Sequence, residues 1–144
     1  MLFTVSPSYS AFSTFESGNK KVVKDGVLEI QWKFDGSNIH VLVEKKTAGF
    51  AVIGLGTNMA SADVIQISKT GADGAGVDVK DCALSGYKAP VCTETSQDWT
   101  IVEKESTANG FKVEVKRTAT SADTANDKNY VKDADNQMIW AVGP

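Results

Sequence analysis

The sequence predicts an all-β protein, specifically an antiparallel β-sandwich. Apolar and polar residues alternate along several short segments, and turn-forming pairs separate those segments. No window of twelve residues carries the apolar stripe of an amphipathic helix. The chain has 144 residues, which is the usual length of one domain, so we expect residues 1–144 to form a single sandwich.

The clearest alternation lies in two segments that flank the turn pair Asp35-Gly36. Their apolar residues are Leu28, Ile30 and Trp32 in the first segment and Ile39, Val41 and Val43 in the second. Two alternating segments joined by such a turn predict a β-hairpin. The next segment, 50–55, is apolar on both faces, which is typical of an interior strand.

Further segments of the same kind predict the remaining strands. We expect strands near residues 64–67, 99–101, 111–115 and 137–142, and weaker ones near 3–5, 21–23 and 77–79. Only residues 58–62 and 121–128 suit a turn or two of helix. About eight to ten short strands with Gly- or Asn-rich turns predict a sandwich that is immunoglobulin-like in layout.

The apolar phase of these strands predicts the core. Two tryptophans, Trp32 and Trp140, continue that phase in their strands, so we expect both to be buried. We expect the rest of the core to include the aliphatic residues Leu28, Ile30, Val41, Val43 and Val52.

Composition narrows the classes of partner. The net charge is −3 and the pI is about 5.1, which disfavours nucleic acids and anionic membranes because both reward clustered lysine and arginine. No apolar run approaches the length of a membrane span. The first residues lack the charged start and apolar centre of a signal peptide, so we expect a cytosolic protein or a mature form.

The two cysteines, Cys82 and Cys92, bracket a loop that contains Gly86 and Pro90. A zinc site would need further ligands at a fixed spacing, and the chain has a single histidine. We favour a disulfide, worth about 3 kcal/mol in the chain-entropy model, which would indicate an oxidising compartment. Two free thiols are the alternative.

The chain has few residues that could act in catalysis. His40 is the only histidine, and it stands between two inward residues of a strand, where a half-exposed outward position is expected. No serine lies in a nucleophile-elbow pattern, and the Gly-rich segments 54–56 and 71–76 do not open a helix. We therefore expect no catalytic residues and no enzyme activity of the domain by itself.

Acidic residues gather in two loops, and their side chains suit either of two roles. The residues are Asp73, Asp78 and Asp81 in the first loop and Asp123, Asp127, Asp133 and Asp135 in the second. Aspartate is common in turns because its carboxylate accepts hydrogen bonds from nearby backbone amides. We favour that role and expect no metal, with calcium binding as the alternative.

Met59 lies shortly after the apolar segment 50–55, in the run GLGTNMASADVI at 54–65. A thioether at this place can pack in the core or bind a soft metal or haem iron. Spacing alone favours core packing.

Four motifs in order resemble the DOMON family, named for the amino-terminal domain of dopamine β-monooxygenase. They are TAGFAVIGLG at 47–56, MASAD at 59–63, QDW at 97–99 and MIWAVGP at 138–144, and the resemblance extends from about residue 27 to residue 144. Asp123 and Asp127 fall in what resembles the acidic loop of the family. The resemblance implies an extracellular β-sandwich that binds haem or sugars.

The resemblance also assigns a role to Met59, which matches an axial ligand of the haem-binding members. Their second ligand is usually a histidine after the motif matched by residues 140–143, and no histidine of this chain matches it. Some related haem proteins use a lysine as the second ligand, but we assign that role to neither Lys128 nor Lys132. We therefore expect that the 144-residue chain does not hold haem stably.

Together these arguments predict a non-catalytic extracellular or luminal recognition module that needs no cofactor. It would bind a carbohydrate or a partner protein, as part of a larger assembly. The aromatic residues Tyr87, Trp99 and Tyr130 are the candidates for exposed ligand contacts, although the position of Trp99 at the start of its strand is more typical of a core residue. The alternative is a domain that binds haem b with Met59 as axial ligand and transfers electrons.

Overall fold

A computed structural model describes residues 12–58, 61–70, 76–85, 92, 98–120, 129–132 and 136–143. Nine β-strands and no helix occur within these ranges. The strands are β1 Lys20–Val23, β2 Leu28–Asp35, β3 Asn38–Lys45, β4 Phe50–Asn58, β5 Ser61–Thr70, β6 Gly76–Ser85, β7 Thr100–Ser106, β8 Phe111–Thr118 and β9 Met138–Gly143.

The strands form two antiparallel sheets that pack face to face, which confirms the predicted sandwich. One sheet has five strands in the order β1-β2-β3-β8-β7, and the other has four in the order β6-β5-β4-β9. The hairpin predicted at Asp35-Gly36 joins β2 to β3, and Gly36 adopts the positive φ of 61° that this turn requires. The helical turn predicted at 58–62 is wrong, because Asn58 pairs with Ser61 in the β4–β5 hairpin.

The weaker strands predicted at 21–23 and 77–79 are confirmed as parts of β1 and β6. The strand predicted at 3–5 and the helical turn predicted at 121–128 lie outside the described residues. The described residues contain no helix that is long and apolar enough to cross a membrane.

The main core lies between the two sheets and follows the predicted alternation. Its fully buried members from the two sheets include Leu28, Ile30, Val41, Val43, Ala51, Ile53, Ile65, Ile67, Phe111, Val113 and Val115. The prediction of a buried inner face is therefore confirmed for β2 and β3.

A second, smaller cluster lies on the outer face of the four-stranded sheet. Val52 packs there with Ala62, Val64 and Cys82, whereas Ala51 and Ile53, its neighbours in β4, point into the main core. Cys82 is joined to Cys92 in a disulfide, as predicted, and Cys92 packs against this cluster. The disulfide thus covers apolar surface that the second face of an interior strand would otherwise expose.

The predicted burial of Trp140 is wrong. Its side chain is 42% exposed, although Trp140 is paired with Ile53 and stands on the inward phase of β9. The reason is its position, because β9 is the edge strand of its sheet and has a neighbour on one side only. Trp32 in β2 is partly buried and packs against the main core.

Candidate binding cleft

A cleft of about 470 Å³ opens between the two sheets along the side where β1 and β2 face β9. Its walls are mainly aromatic and aliphatic, with Trp32, Phe34, Ile39, Val41, Met138 and Trp140 among the lining side chains. The volume lies within the range of small-molecule sites, which are concave and mostly apolar with a few polar groups.

The cleft exists because the strand order leaves the inner faces of β1 and β2 incompletely covered. The four-stranded sheet ends at β9, while the five-stranded sheet continues through β2 to β1. Inward residues at this side therefore meet fewer partners than those between β3 and β4. Trp32 and Trp140 consequently form cleft walls rather than the centre of the core.

The polar groups of the cleft are few. The amide of Asn136 bonds to the backbone of Val131, with its Oδ1 accepting from the Val131 amide and its Nδ2 donating to the Val131 carbonyl, both at 2.9 Å. Lys21 brings the single charged side chain among the described lining residues. Tyr130 also lines the cleft, but only 6% of it is exposed.

Tyr130 connects the cleft to a buried ion pair in the sandwich interior. Its ring lies edge-on to that of Trp99, with centroids 6.0 Å apart, and the Arg117 guanidinium lies 5.0 Å from the Tyr130 centroid. Arg117 also lies 5.2 Å from the Trp99 ring and donates from Nη1 to Asp63 Oδ2 at 3.1 Å. Both charged residues are buried, so the pair fixes the guanidinium between the two rings.

Asp81 lies beside this pair and carries a perturbed pKa. Burial raises the pKa of Asp81 to about 6 from its usual 3.8, and the nearby Asp63 and Asp98 carboxylates act in the same direction. The Asp98 amide, which donates to Asp81 Oδ2 at 3.2 Å, and the Arg117 charge oppose the rise. The carboxyl of Asp81 is therefore easier to protonate in the fold than in the unfolded chain.

This shift predicts a pH-dependent loss of stability. A carboxyl with a raised pKa binds its proton more tightly in the folded state, so its contribution to stability falls as the pH rises from about 4 to above 6. Asp81→Asn should remove that decline and leave the variant more stable than the parent above pH 6, but not below pH 4. Urea unfolding across this range measures the difference, and parallel curves for the two proteins would contradict the assignment.

A second buried polar group lies on the outer face of the five-stranded sheet. Glu114 accepts from the Ser13 amide at 2.7 Å and from the Ser13 hydroxyl at 2.6 Å, and His40 Nδ1 lies 2.7 Å from the same carboxylate. Burial raises the pKa of Glu114, but these hydrogen bonds outweigh it and hold the pKa below its usual value. The expectation of a half-exposed His40 is wrong, because the segment that carries Ser13 lies close by and leaves the histidine buried.

This arrangement contains a serine, a histidine and a carboxylate, but its order differs from that of a hydrolase triad. The carboxylate of Glu114 lies between Ser13 and His40, whereas a triad places the histidine between the nucleophile and the acid. His40 therefore cannot take a proton from Ser13. The contacts instead attach the N-terminal segment to the sheet, together with the Lys112 amine 4.6 Å from the Phe12 ring centroid.

The structure brings two of the three predicted ligand contacts together, because the rings of Trp99 and Tyr130 lie edge to face. Tyr130 lines the cleft but is buried, so it lacks the exposure that a ligand contact needs. Trp99 is partly buried against the main core, which is the position that the sequence favours for it. Tyr87 and Met59 lie outside the described residues. A role of these residues in ligand binding stays a prediction.

Sequence reasoning missed two sets of residues. It did not identify the cleft walls Trp32 and Trp140, because both were assigned to the core. It also missed Asp63 and Arg117, although a signal was available: each charged residue stands on the inward phase of an apolar strand. A charge at such a position requires a partner, and opposite charges on two strands are natural candidates.

The structure describes no metal site among the acidic residues that the sequence analysis identified. Asp73, Asp123, Asp127, Asp133 and Asp135 lie outside the described residues. Within the described part of the chain, no three histidine, cysteine, aspartate or glutamate side chains gather closely enough to hold a metal ion. The turn role favoured from the sequence is wrong for Asp78 and Asp81, because both lie in strand β6, where Asp81 is buried and accepts a hydrogen bond from the distant Asp98 amide.

A haem bound in this cleft would need axial ligands from the cleft walls. Among the described lining residues, Met138 brings a thioether and Lys21 an amine. His40, the single histidine of the chain, lies on the opposite face of β3 beside Glu114. The described residues therefore do not fit a site with methionine and histidine as axial ligands.

Strands β2 to β9 coincide with a match to a known protein family. The family model described as DOMON domain matches residues 24–143, which is nearly the whole chain. No curated protein matches this chain.

Proposed function

Because the chain belongs to the DOMON domain family, whose members are recognition or haem-binding modules, we propose that it is a non-catalytic carbohydrate-binding module. The cleft between β2 and β9 is its binding site. The observation that carries the proposal is Trp140, a large aromatic side chain that is 42% exposed on the wall of this cleft.

An exposed tryptophan at a cleft wall is costly unless a ligand covers it. Its flat apolar face suits the carbon-bound hydrogens of a sugar ring, and its indole N–H can still meet a hydroxyl or water. Trp32 and Phe34 extend the aromatic surface of the same cleft. Aromatic walls with few polar groups favour a ring that presents an apolar face.

The compartment is part of the proposal. DOMON domains are typically extracellular or luminal, and the Cys82–Cys92 disulfide is typical of proteins in an oxidising environment. Glycans are abundant outside the cell and in the secretory pathway. A carbohydrate ligand, with a larger assembly around the module, is consistent with that location.

Replacement of Trp140 tests the site. With oligosaccharides of several monosaccharide types as probes, Trp140→Ala should weaken binding at least tenfold, because buried tryptophan contacts dominate many interfaces. Ile101→Ala is the matched control, since Ile101 is an exposed apolar residue of β7, an edge strand of the other sheet, and does not line the cleft. Isothermal titration calorimetry measures both affinities, and the control should bind as the parent does.

Three outcomes would overturn the proposal. One is the absence of binding to every saccharide tested, and another is equal binding by Trp140→Ala. The third is a stable Soret band after addition of haem that Met59→Ala abolishes, which would make electron transfer by a haem b domain the leading function.

A further inference from the structure

We propose that the ligand of the cleft is an acidic saccharide, with a carboxylate or sulfate that pairs with Lys21. This inference rests on the proposed function and adds a charge to its ligand. It follows from the position of Lys21, its lack of a partner in the described structure, and the way the other polar groups of the cleft are used.

The position of Lys21 follows from the register of β1. Lys21 is paired with Ile30, an inward residue of β2, and both line the cleft. Its neighbour Lys20 has the opposite phase, and its amine lies 2.6 Å from Glu29 Oε1. Two adjacent lysines therefore have different environments, one at the cleft and one in an ion pair on the outer face.

Within the described part of the chain, the side chain of Lys21 makes no ion pair or hydrogen bond, and it is the one charged side chain of the cleft lining. The amide of Asn136 is engaged on both sides by the Val131 backbone. Tyr130 is buried beneath the Arg117 guanidinium. The Lys21 amine is thus the polar group of the cleft most open to a ligand.

An amine beside aromatic walls selects among sugars by charge. A charge-assisted hydrogen bond is roughly twice as strong as a neutral one, so an anionic substituent gains more from Lys21 than a hydroxyl does. Lys21 is itself exposed on the edge strand β1, so salt should screen that pairing. The protein as a whole carries a charge of −3, so its net field does not attract anions, and the preference must come from this local group.

The test compares the two adjacent lysines. The probes are an oligogalacturonate and the neutral galactose oligosaccharide of the same length, titrated calorimetrically at low and high salt. Lys21→Gln should weaken oligogalacturonate binding about tenfold and abolish most of its salt dependence. Lys20→Gln, which removes an exposed cation from the outer face, should leave both affinities unchanged.

The outcomes separate this inference from the function on which it rests. Equal affinity for the acidic and neutral probes, unaltered by Lys21→Gln but lost in Trp140→Ala, would overturn the role of Lys21 and leave carbohydrate binding intact. A loss of affinity in Lys20→Gln as large as in Lys21→Gln would also overturn it, since any nearby cation would then suffice. No binding of either probe, or of any other saccharide, would remove the proposed function itself.

Discussion

Arg117→Met should destabilise the fold by about 3–5 kcal/mol, because it leaves the buried carboxylate of Asp63 without its counter-ion. The same change removes the cation that lies over the rings of Trp99 and Tyr130. Chemical denaturation monitored by tryptophan fluorescence measures the loss. A fall of this size is a large share of the stability of a domain this long.

Two further variants make the prediction specific to the ion pair. Lys116→Met is the matched control, because Lys116 is adjacent in β8 but only half-buried on the other face, and it should change stability by about 0.5 kcal/mol or less. The double variant Asp63→Leu/Arg117→Met should recover much of the loss, since an apolar pair needs no counter-ion. If the double variant were as unstable as the sum of its single variants, the penalty would not come from an unpaired buried charge.

Phe111→Ala should cost about 3–5 kcal/mol, the usual loss for a phenylalanine deleted from a packed core. Phe111 is fully buried at the start of β8, opposite Lys45 of β3, and it belongs to the main core. The denaturation midpoint should fall with little change in the slope, because a cavity leaves the surface exposed on unfolding nearly the same.

Phe111→Leu provides the intermediate step, because it keeps most of the apolar volume and should cost less than the alanine variant. Ile101→Ala, at an exposed position of the neighbouring strand β7, should stay close to the parent. A Phe111→Ala protein with unchanged stability would mean that the centre of the sandwich is packed differently from the structure described above.

The proposed binding site lies where the two sheets overlap least. Where β1 and β2 extend beyond β9, aromatic residues that would complete a core become walls of a site. The ion pair of Asp63 and Arg117 lies behind one of these walls and supports Tyr130. Residues that stabilise the fold therefore lie directly beside those of the proposed site.

The candidate site could be predicted only in part. The resemblance to the DOMON family led to the correct family, and spacing favoured the disulfide that the structure contains. The aromatic candidates were chosen for expected exposure, which a local pattern does not determine. Tyr130 is buried because Arg117, a residue of another strand, lies over its ring.

The sequence by itself determined the strands and the direction in which their side chains point. An alternation with a period of two is a local property, so β2, β3 and the inward phase of Trp140 could be identified from neighbouring residues alone. The tertiary structure decided which inward positions are covered. Trp140 is exposed because β9 is an edge strand, and Asp63 meets Arg117 across 54 residues of chain. Both outcomes depend on the order of strands in the sheets, which arises from contacts between distant residues and is absent from any local pattern.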